Sequence, residues 1–534
     1  MDPCGRSMVA SQYGVAATSQ PLAAQAAVQM LERGGNAVDA AIAANAAQGV
    51  LEPMMNGIGG DLFAIVSLAG EQRLHGINAS GWSPREMTLE LLQRQGIAGE
   101  IPVHSGHGVT VPGAVAGWTA LHGRFGKLPL DQILAPAIRF AADGFPVMEV
   151  TAGLWSRGAE ALSRDARSRA TFLALGRPPR AGEPFRNPAL AQSLSRIAAQ
   201  GADGFYRGPV AQAMVEAVRG AGGAMALEDL ADYQPEWVEP LHTVYRGWTV
   251  SELPPNGQGI AALEMLNILQ HFPLREWGFH STRALHAMIE AKKLAYADLL
   301  RYVADPAFGP IPVAELLSEK NAAERARLVD MTRAQAHAAP SRVPSGSDTI
   351  YLAVADHEGN MVSLIQSVYH LFGSGITPAG AGFVLQNRGC LFNLEAGHPN
   401  CVAGRKRPLH TIIPAFMEKG DVRIAFGIMG RWNQAQAHAQ FVADVADFDM
   451  SIQQALEAGR FTKDSFAGRD LEIESTVPAQ VRQELAALGH ELTVHPPRTS
   501  NFGFGQAVLH DRRSGVVFGA SDPRHDGAAI PAAG

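Results

Sequence analysis

Cysteine is scarce in this sequence, with three residues in a chain of 534, and long apolar runs and an excess of positive charge are absent. Cys4, Cys390 and Cys401 form no C-x-x-C pair and are odd in number, which argues against a disulfide framework and favours a reducing compartment. The sequence contains no run of about 18 apolar residues, which a membrane span would require. Its first residues also lack the charged-then-apolar pattern of a secretory signal. We therefore expect a soluble, cytoplasmic protein with no membrane partner.

The charge balance and the missing motifs exclude further classes. The formal net charge is -7 and the pI is near 6.2, whereas binding of nucleic acid requires a concentrated basic surface. The sequence contains no Walker A loop, no G-x-S-x-G elbow and no Rossmann glycine pattern. His104 and His107 have no third metal ligand near them, so we expect neither a metal nor an organic cofactor.

What the sequence does contain begins with two helical patterns. Residues 21–33 repeat Ala, Leu, Val and Met at helical spacing and end before Gly34. Asn36 then stands at an N-cap position, with Asp39 three residues later to face the helix dipole. The alanine-rich run that continues to residue 50 predicts a second helix packed closely on the first.

Strand patterns follow these helices. After the glycine-rich turn at residues 57–60, residues 62–68 and 72–77 indicate a pair of strands. The periodicity from about residue 118 to residue 328 is mostly helical. These patterns alone predict a mixed α/β protein and no finer architecture.

A segment without apolar periodicity precedes a second strand pair. Residues 334–348 are rich in Ala, Pro, Ser, Arg and Gly, which is typical of an exposed, mobile linker. Residues 349–355 and 361–367 are β-rich runs joined by a short loop that contains glycine. Thr349 therefore stands at the start of a strand, directly after the linker.

The position of Thr349 suits a hydrolase that cleaves itself. Its hydroxyl could attack the carbonyl of Asp348, and water would open the resulting ester. The freed α-amino group of Thr349 would then serve as base for the hydroxyl of the same residue. Threonine also begins strands routinely because of its β-propensity, so the position alone leaves both interpretations open.

Ordered motifs along the chain resemble those of the γ-glutamyltransferase family of N-terminal-nucleophile (Ntn) hydrolases. Residues 347–356, 359–362 and 372–376 resemble the processing site and first hairpin of these enzymes. Motifs similar to the large subunit precede this segment and motifs similar to the small subunit follow it, in the family's order: residues 36–41, 57–60, 112–117 and 295–298, then 407–409 and 519–524. The resemblance spans almost the whole chain.

The resemblance implies a set of catalytic residues. It places the cleavage between Asp348 and Thr349, with Thr349 as nucleophile and Ser367 as the hydroxyl that hydrogen-bonds the nucleophile. The backbone N–H groups of Gly430 and Arg431 would form the oxyanion hole. Arg431 replaces the family's second glycine, and a side chain opposes positive φ. A plain glycine turn between a strand and a helix is the alternative for this loop.

The substrate pocket that the resemblance implies departs from the family's usual charges. Ser80 replaces an arginine that binds the substrate α-carboxylate, and Cys390 replaces an acidic residue that binds the α-amino group. Loss of both charged contacts disfavours a glutamyl acyl group and is similar to the oxamate amidohydrolase and acylase branch. Cys390 has no neighbour that would lower its pKa, so packing or pocket lining is expected of it rather than nucleophilic attack.

Other substrate-binding positions follow from the same resemblance. His410 and Thr411 stand for the family's paired serines, and Tyr369 stands for an asparagine. A carboxylate on a different acyl group would need another cation. Arg431 is the first candidate because it follows Gly430 directly, and Arg388 is the second; solvated side chains or structural ion pairs are the alternative for both.

The fold implied by the resemblance is a four-layer αββα sandwich built from two chains of one processed precursor. The large chain would comprise residues 1–348, including the linker 334–348, and the small chain would comprise residues 349–534. We expect these two chains to remain associated as a heterodimer, and a dimer of heterodimers is left open.

The expected function is hydrolysis of a small or acidic acyl amide, a small-molecule substrate, through a Thr349 acyl-enzyme. One alternative is a true γ-glutamyltransferase or glutathione hydrolase. Another is an unprocessed, inactive binding or assembly protein, because a distorted loop at Arg431 would lower catalysis by about two to three orders of magnitude.

Overall fold

The alanine-rich start of the chain folds into two consecutive helices, Pro21–Glu32 and Ala37–Leu51. The structure is a computed structural model that describes residues 5–337 and 349–534. The Asn36 side chain accepts hydrogen bonds from the N–H groups of Val38 and Asp39, and the Asp39 carboxylate accepts one from Asn36 N–H at 3.0 Å. This reciprocal cap confirms the predicted helix start.

Two seven-stranded antiparallel sheets form the centre of the molecule. Sheet 1 has the order Ala528–Pro531, Gly14–Thr18, Ile350–Asp356, Met361–Ser367, Asp61–Ser67, Leu74–Ala79, Glu236–Val238. Sheet 2 has the order Val9–Ser11, Val516–Ser521, Gly505–Asp511, Val422–Ile428, Ala415–Lys419, Trp248–Glu252, Leu241–Tyr245. Each sheet contains strands from both sides of the predicted cleavage position.

The two sheets pack face to face through an apolar layer that includes Phe63, Tyr351, Ile365, Phe416 and Val508. Helices cover both outer faces. On the side of sheet 1 they are Pro21–Glu32, Ala37–Leu51, Ala114–Phe125, Leu130–Asp143, Glu149–Ser163, Ala166–Phe172, Pro188–Gln200, Asp203–Tyr206, Gly208–Gly220 and Leu227–Ala231. On the side of sheet 2 they are Leu89–Arg94, Gly259–Leu269, Leu274–Trp277, Thr282–Tyr302, Val313–Leu316, Glu319–Ala326, Asn433–Ala446, Ile452–Glu457 and Ala479–Ala487. The expected αββα sandwich is confirmed.

Two smaller sheets lie outside this sandwich. Phe461–Thr462, Asp470–Glu474 and Glu491–His495 form a three-stranded sheet, and Phe145–Pro146 pairs with Pro184–Phe185. No helix in the two described ranges is long and apolar enough to cross a membrane. The cytoplasmic location stays a prediction.

The predicted linker needs correction at its beginning. Ala334 is buried, and its N–H donates to the Leu488 carbonyl at 2.6 Å. The His337 ring lies 3.1 Å from a carboxylate oxygen of Glu290. Ala334 and His337 are therefore packed against the protein, although Ala336 between them is exposed. The remainder of the predicted linker, residues 338–348 with Asp348, lies outside the described residues, as does Cys4.

Candidate active site

Thr349 is fully buried and directly precedes the strand Ile350–Asp356. That strand pairs with Met361–Ser367 in a register that sets Ile350 opposite Gln366, so Thr349 and Ser367 meet at the end of the pair. The Thr349 hydroxyl donates to Ser367 Oγ at 3.1 Å. The sequence predicted this contact, and the antiparallel register provides it.

Glycines allow a neighbouring loop to approach this pair. A Cβ atom on Gly60 would lie 2.4 Å from the Ser367 carbonyl oxygen, and one on Gly59 would lie 2.0 Å from the Val384 carbonyl oxygen. Neither contact leaves room for a side chain. The glycine motif predicted as a turn therefore also holds the end of the Ser367 strand against the loop that carries Val384.

The candidate oxyanion loop follows the strand Val422–Ile428 and precedes the helix Asn433–Ala446. Gly427 packs against the Tyr351 ring, where a Cβ atom would approach to 2.5 Å. Burial raises the pKa of Tyr369 and the charge of Arg431 opposes that rise, while the Tyr369 N–H donates to Ser367 Oγ. The loop therefore lies near the Thr349–Ser367 pair.

Arg431 adopts the conformation that a glycine would take most readily. Its φ is +55°, in the left-handed region, and Gly430 has a φ of +131°. A side chain at positive φ costs about 1–2 kcal/mol, which the surrounding contacts must offset. Both Gly430 and Arg431 therefore have positive φ, although Arg431 carries a side chain.

The Arg431 side chain lies beside a carboxylate. Its Nη1 is 3.5 Å from Asp464 Oδ2. Burial raises the pKa of Asp464, and the charge of Arg431 opposes that rise. This contact corresponds to the structural ion pair that the sequence left as the alternative to substrate binding by Arg431.

Arg388 is the fully buried cation of the site. Its Nη1 donates to the Thr411 hydroxyl at 2.6 Å, and its guanidinium lies 4.3 Å from the centre of the Tyr369 ring. Its Nε and Nη2 have no hydrogen-bond partner among residues 5–337 and 349–534. Burial lowers the pKa of Arg388 to about 10. Burying a cation with unsatisfied donors is costly, and an anionic ligand would satisfy them.

These contacts connect five of the predicted site residues: Thr349, Ser367, Tyr369, Arg388 and Thr411. The backbone N–H of Tyr369 donates to Ser367 Oγ at 2.9 Å, so the residue under the Arg388 guanidinium also contacts the partner of the nucleophile. A continuous path of contacts runs from Thr349 through Ser367 and Tyr369 to Arg388. It joins the candidate nucleophile to the candidate anion site.

Asp61 is a site residue that sequence reasoning missed. Its carboxylate accepts hydrogen bonds from Gly81 N–H at 2.9 Å and from the Gln386 amide at 2.7 Å, and His410 Nε2 lies at 3.0 Å. Burial raises the pKa of Asp61 to about 7, against the influence of Arg388. In the register of sheet 1 Asp61 stands opposite Ser367, and that pairing places it beside the site.

The His410 ring makes its hydrogen bond to the Asp61 carboxylate. Its Nδ1 accepts from Ile412 N–H at 3.3 Å, so the proton of the neutral ring resides on Nε2 and faces Asp61. Burial holds the pKa of His410 well below its usual range. His410 thus contacts Asp61, whereas Thr411 contacts Arg388. The substrate-binding roles of both stay predictions.

Ser80 and Cys390 occupy buried positions without a charge. The Ser80 hydroxyl donates to Asn78 Oδ1 at 2.7 Å, and the Asn256 amide donates to Ser80 Oγ at 3.3 Å. Burial raises the pKa of the Cys390 thiol to about 12, so the thiol stays protonated. This agrees with the lining role expected of Cys390 and disfavours a thiolate nucleophile.

A separate buried cluster contains groups that could ligate a metal. Ligand atoms of His286, Glu290 and His490 all lie within 4.8 Å of one another. However, the Glu290 carboxylate already contacts the Lys293 ammonium at 2.6 Å and His337 at 3.1 Å. The lysine therefore already balances the buried carboxylate charge.

Comparisons with known proteins agree with this geometry. A family model described as gamma-glutamyltranspeptidase matches residues 23–532. The glutathione hydrolase-like YwrD proenzyme of Bacillus subtilis is 35% identical over 514 residues, which cover 95% of this chain and 96% of that protein. The oxamate amidohydrolase proenzyme of Klebsiella pneumoniae is 32% identical over 97% of this chain and 98% of its own.

A solved structure shows the same architecture. The crystal structure of a cephalosporin acylase from Bacillus halodurans matches with a TM-score of 0.93 and 40% identity, covering 100% of this chain and 98% of that one. Family model, relatives and fold thus agree. The chain belongs to the γ-glutamyltranspeptidase family of N-terminal-nucleophile amide hydrolases.

Proposed function

We propose that this protein is a proenzyme that cleaves itself between Asp348 and Thr349 and then hydrolyses an acyl amide through Thr349. The observation that carries the proposal is the buried Thr349 hydroxyl, 3.1 Å from Ser367 Oγ at the start of a strand. Relatives named as proenzymes support the processing step. The products would be residues 1–348 and residues 349–534.

The proposed reaction uses the same hydroxyl twice. During processing, Thr349 Oγ1 attacks the Asp348 carbonyl and forms an ester, while the Thr349 nitrogen leaves that carbonyl and becomes the α-amino group. Water then hydrolyses the ester and releases the Asp348 carboxylate. During turnover, Oγ1 attacks the substrate amide while the α-amino group takes its proton and passes it to the leaving amine. Water releases the acid from the acyl-enzyme.

The surroundings of Thr349 fit these steps. The Ser367 hydroxyl orients Oγ1, and the loop at Gly430 and Arg431 offers backbone N–H groups to the developing oxyanion. No charged side chain is required to deprotonate the nucleophile, because the new N-terminus supplies the base. Both sheets contain strands of both predicted chains, which supports their continued association as a heterodimer.

The acyl group that fits best carries a carboxylate and lacks an α-amino substituent. Two nitrogens of the fully buried Arg388 have no hydrogen-bond partner within the described part of the chain, whereas Arg431 lies against Asp464. Neutral Cys390 gives a substrate ammonium no counter-charge. The relative named oxamate amidohydrolase acts on an amide with a carboxylate, which supports the same class here.

A matched set of anilides tests this proposal. Glutaryl-p-nitroanilide has the carboxylate alone, γ-glutamyl-p-nitroanilide adds the α-amino group, and butyryl-p-nitroanilide lacks both. We expect the glutaryl compound to show the highest kcat/KM, at least about tenfold above each of the others. Preference for the γ-glutamyl compound would identify a glutathione hydrolase instead. An intact precursor with no turnover of any compound would identify an inactive assembly protein.

A further inference from the structure

Gln258 contacts both halves of the candidate site. It is fully buried and directly precedes the helix Gly259–Leu269. Its side-chain Nε2 lies 2.5 Å from the carbonyl oxygen of Thr411 and 2.6 Å from that of Arg431. Thr411 holds Arg388 through its hydroxyl, and Arg431 belongs to the candidate oxyanion loop. One amide group therefore connects the anion site to the oxyanion loop.

The partners of this amide fix its orientation. An amide NH2 group has two N–H donors, and in Gln258 each faces a backbone carbonyl. Rotation of the amide by half a turn would place its oxygen against two carbonyl oxygens. The backbone is fixed as well, since the N–H of Gln258 donates to the His410 carbonyl at 3.0 Å. Carbonyl oxygens thus hold both the side-chain nitrogen and the backbone N–H of Gln258, whereas its Oε1 has no hydrogen-bond partner among the residues that the structure describes.

The conformation of Arg431 explains why such a link would be needed. With a φ of +55°, Arg431 is held where a glycine would rest without a steric penalty. A change to negative φ would swing the Arg431 carbonyl oxygen away from Gln258 Nε2, so the hydrogen bond between them opposes that change. The direction of the Arg431 N–H group, which would face the proposed oxyanion, depends on the same loop conformation.

We propose that Gln258 is a positioning residue that stabilises the left-handed conformation of Arg431 and keeps the oxyanion N–H groups aligned with the anion site at Arg388. The inference rests on the proposed function, because the loop acts on an oxyanion only in that reaction. The proposal predicts that the effects of substitutions at Gln258 and Arg431 are coupled, because Gln258 supports a conformation that is unfavourable only when residue 431 carries a side chain. A glycine at that position would not need the support.

A double-mutant cycle on the processed enzyme tests the coupling. With glutaryl-p-nitroanilide, Gln258→Met should lower kcat by about 10- to 100-fold and change KM much less, because one oxyanion donor becomes misaligned. In an Arg431→Gly background the same substitution should cost less than about threefold. Equal losses in both backgrounds, or no loss in either, would overturn the proposal.

A matched control separates positioning from general loosening of the core. Gln440 is also a buried glutamine whose Nε2 donates to two backbone carbonyls, those of Gln436 and Phe461, at 3.1 and 3.2 Å. Gln440→Met should lower Tm with the same effect in both backgrounds. If it shows the Arg431-dependent loss of kcat, the effect is not specific to Gln258 and the proposal fails.

The crystal structure of Gln258→Met gives a readout that does not need activity. We expect Arg431 to leave the left-handed region in this variant. If the wild-type protein hydrolyses none of the anilides, the proposed function has failed, and the structure alone then decides the positioning role. An unchanged loop with Arg431 near its original φ would overturn that role even in an active enzyme.

Discussion

The two arginines of the site differ in what surrounds them. Arg388 is fully buried, and two of its three nitrogens lack a partner within the described ranges. Arg431 is partly exposed and lies 3.5 Å from the Asp464 carboxylate. Proximity to the oxyanion glycine made Arg431 the first candidate in the sequence, but unsatisfied buried charge favours Arg388. Burial and the lack of hydrogen-bond partners thus favour Arg388 over Arg431 as the proposed anion site.

The largest effect is expected from removing the Thr349 hydroxyl, because both the proposed anion site at Arg388 and the oxyanion loop at Arg431 would act on its reaction. Thr349→Ala should remain a single chain and show no turnover, because no nucleophile remains for either step. Thr349→Ser should still cleave. Gel electrophoresis and N-terminal sequencing of the smaller wild-type fragment measure this. A fragment that begins at any residue other than Thr349 would contradict the processing site.

Ser367→Ala should slow cleavage and turnover together, by a factor in the tens to thousands. The reason is the hydrogen bond at 3.1 Å that orients the Thr349 hydroxyl. Rates of both steps should be measured on the same preparation. Normal rates would show that Ser367 is an ordinary strand residue, and the path of contacts from Thr349 through Ser367 to Arg388 would then have no catalytic role.

Arg388→Met should abolish the preference for glutaryl over butyryl anilide, a loss of about 10- to 100-fold in the ratio of kcat/KM values. Because Nη1 alone of its three nitrogens has a hydrogen-bond partner in the part of the chain that the structure describes, the substitution should change the free energy of unfolding little. Denaturant unfolding of the precursor measures that second effect.

Arg524→Met is the matched control for a buried arginine. Arg524 contacts Glu474 at 2.5 Å and Asp522 at 3.0 Å, so its removal leaves buried carboxylates unpaired. We expect a loss of about 3–5 kcal/mol for this variant. Equal destabilisation by Arg388→Met would show that Arg388 is a structural cation rather than an anion site.

The smallest effect is expected for Arg431→Gly. Removing a side chain at positive φ should raise the free energy of unfolding by at most about 1 kcal/mol, since the added backbone freedom of glycine offsets part of the relief. The glutaryl preference should persist while kcat moves by a few-fold. Loss of the glutaryl preference would show that Arg431, rather than Arg388, binds the substrate carboxylate.

Local signals in the sequence were sufficient for the elements around Thr349. The cap at Asn36, the glycine turn before Asp61 and the hairpin after Thr349 all depend on residues close in the chain. The strands Glu236–Val238, Leu241–Tyr245 and Trp248–Glu252 were missed inside a region predicted to be mostly helical. Glu236–Val238 and Leu241–Tyr245 are edge strands, and Trp248–Glu252 lies next to the edge of sheet 2. All three are short, and their pairing with other strands decides their conformation.

The site residues missed from the sequence are polar groups brought together by tertiary contacts. Asp61 meets His410 and Gln386 across more than 300 residues of chain, and Gln258 meets Arg431 across 173. No spacing rule signals such contacts. An acidic residue directly after paired glycines was the available signal for Asp61, and a polar residue at the start of an apolar helix was the one for Gln258.

The interleaving of the two sheets has a consequence for unfolding. A precursor with strands of both segments in each sheet folds as one molecule, but after cleavage the same structure becomes an association of two polypeptides. Unfolding of the mature form would then release two chains, so its midpoint should rise with protein concentration, while that of Thr349→Ala should not. Self-cleavage would in this way exchange a unimolecular folding equilibrium for a bimolecular one, and dilution would favour the unfolded state only after the bond is cut.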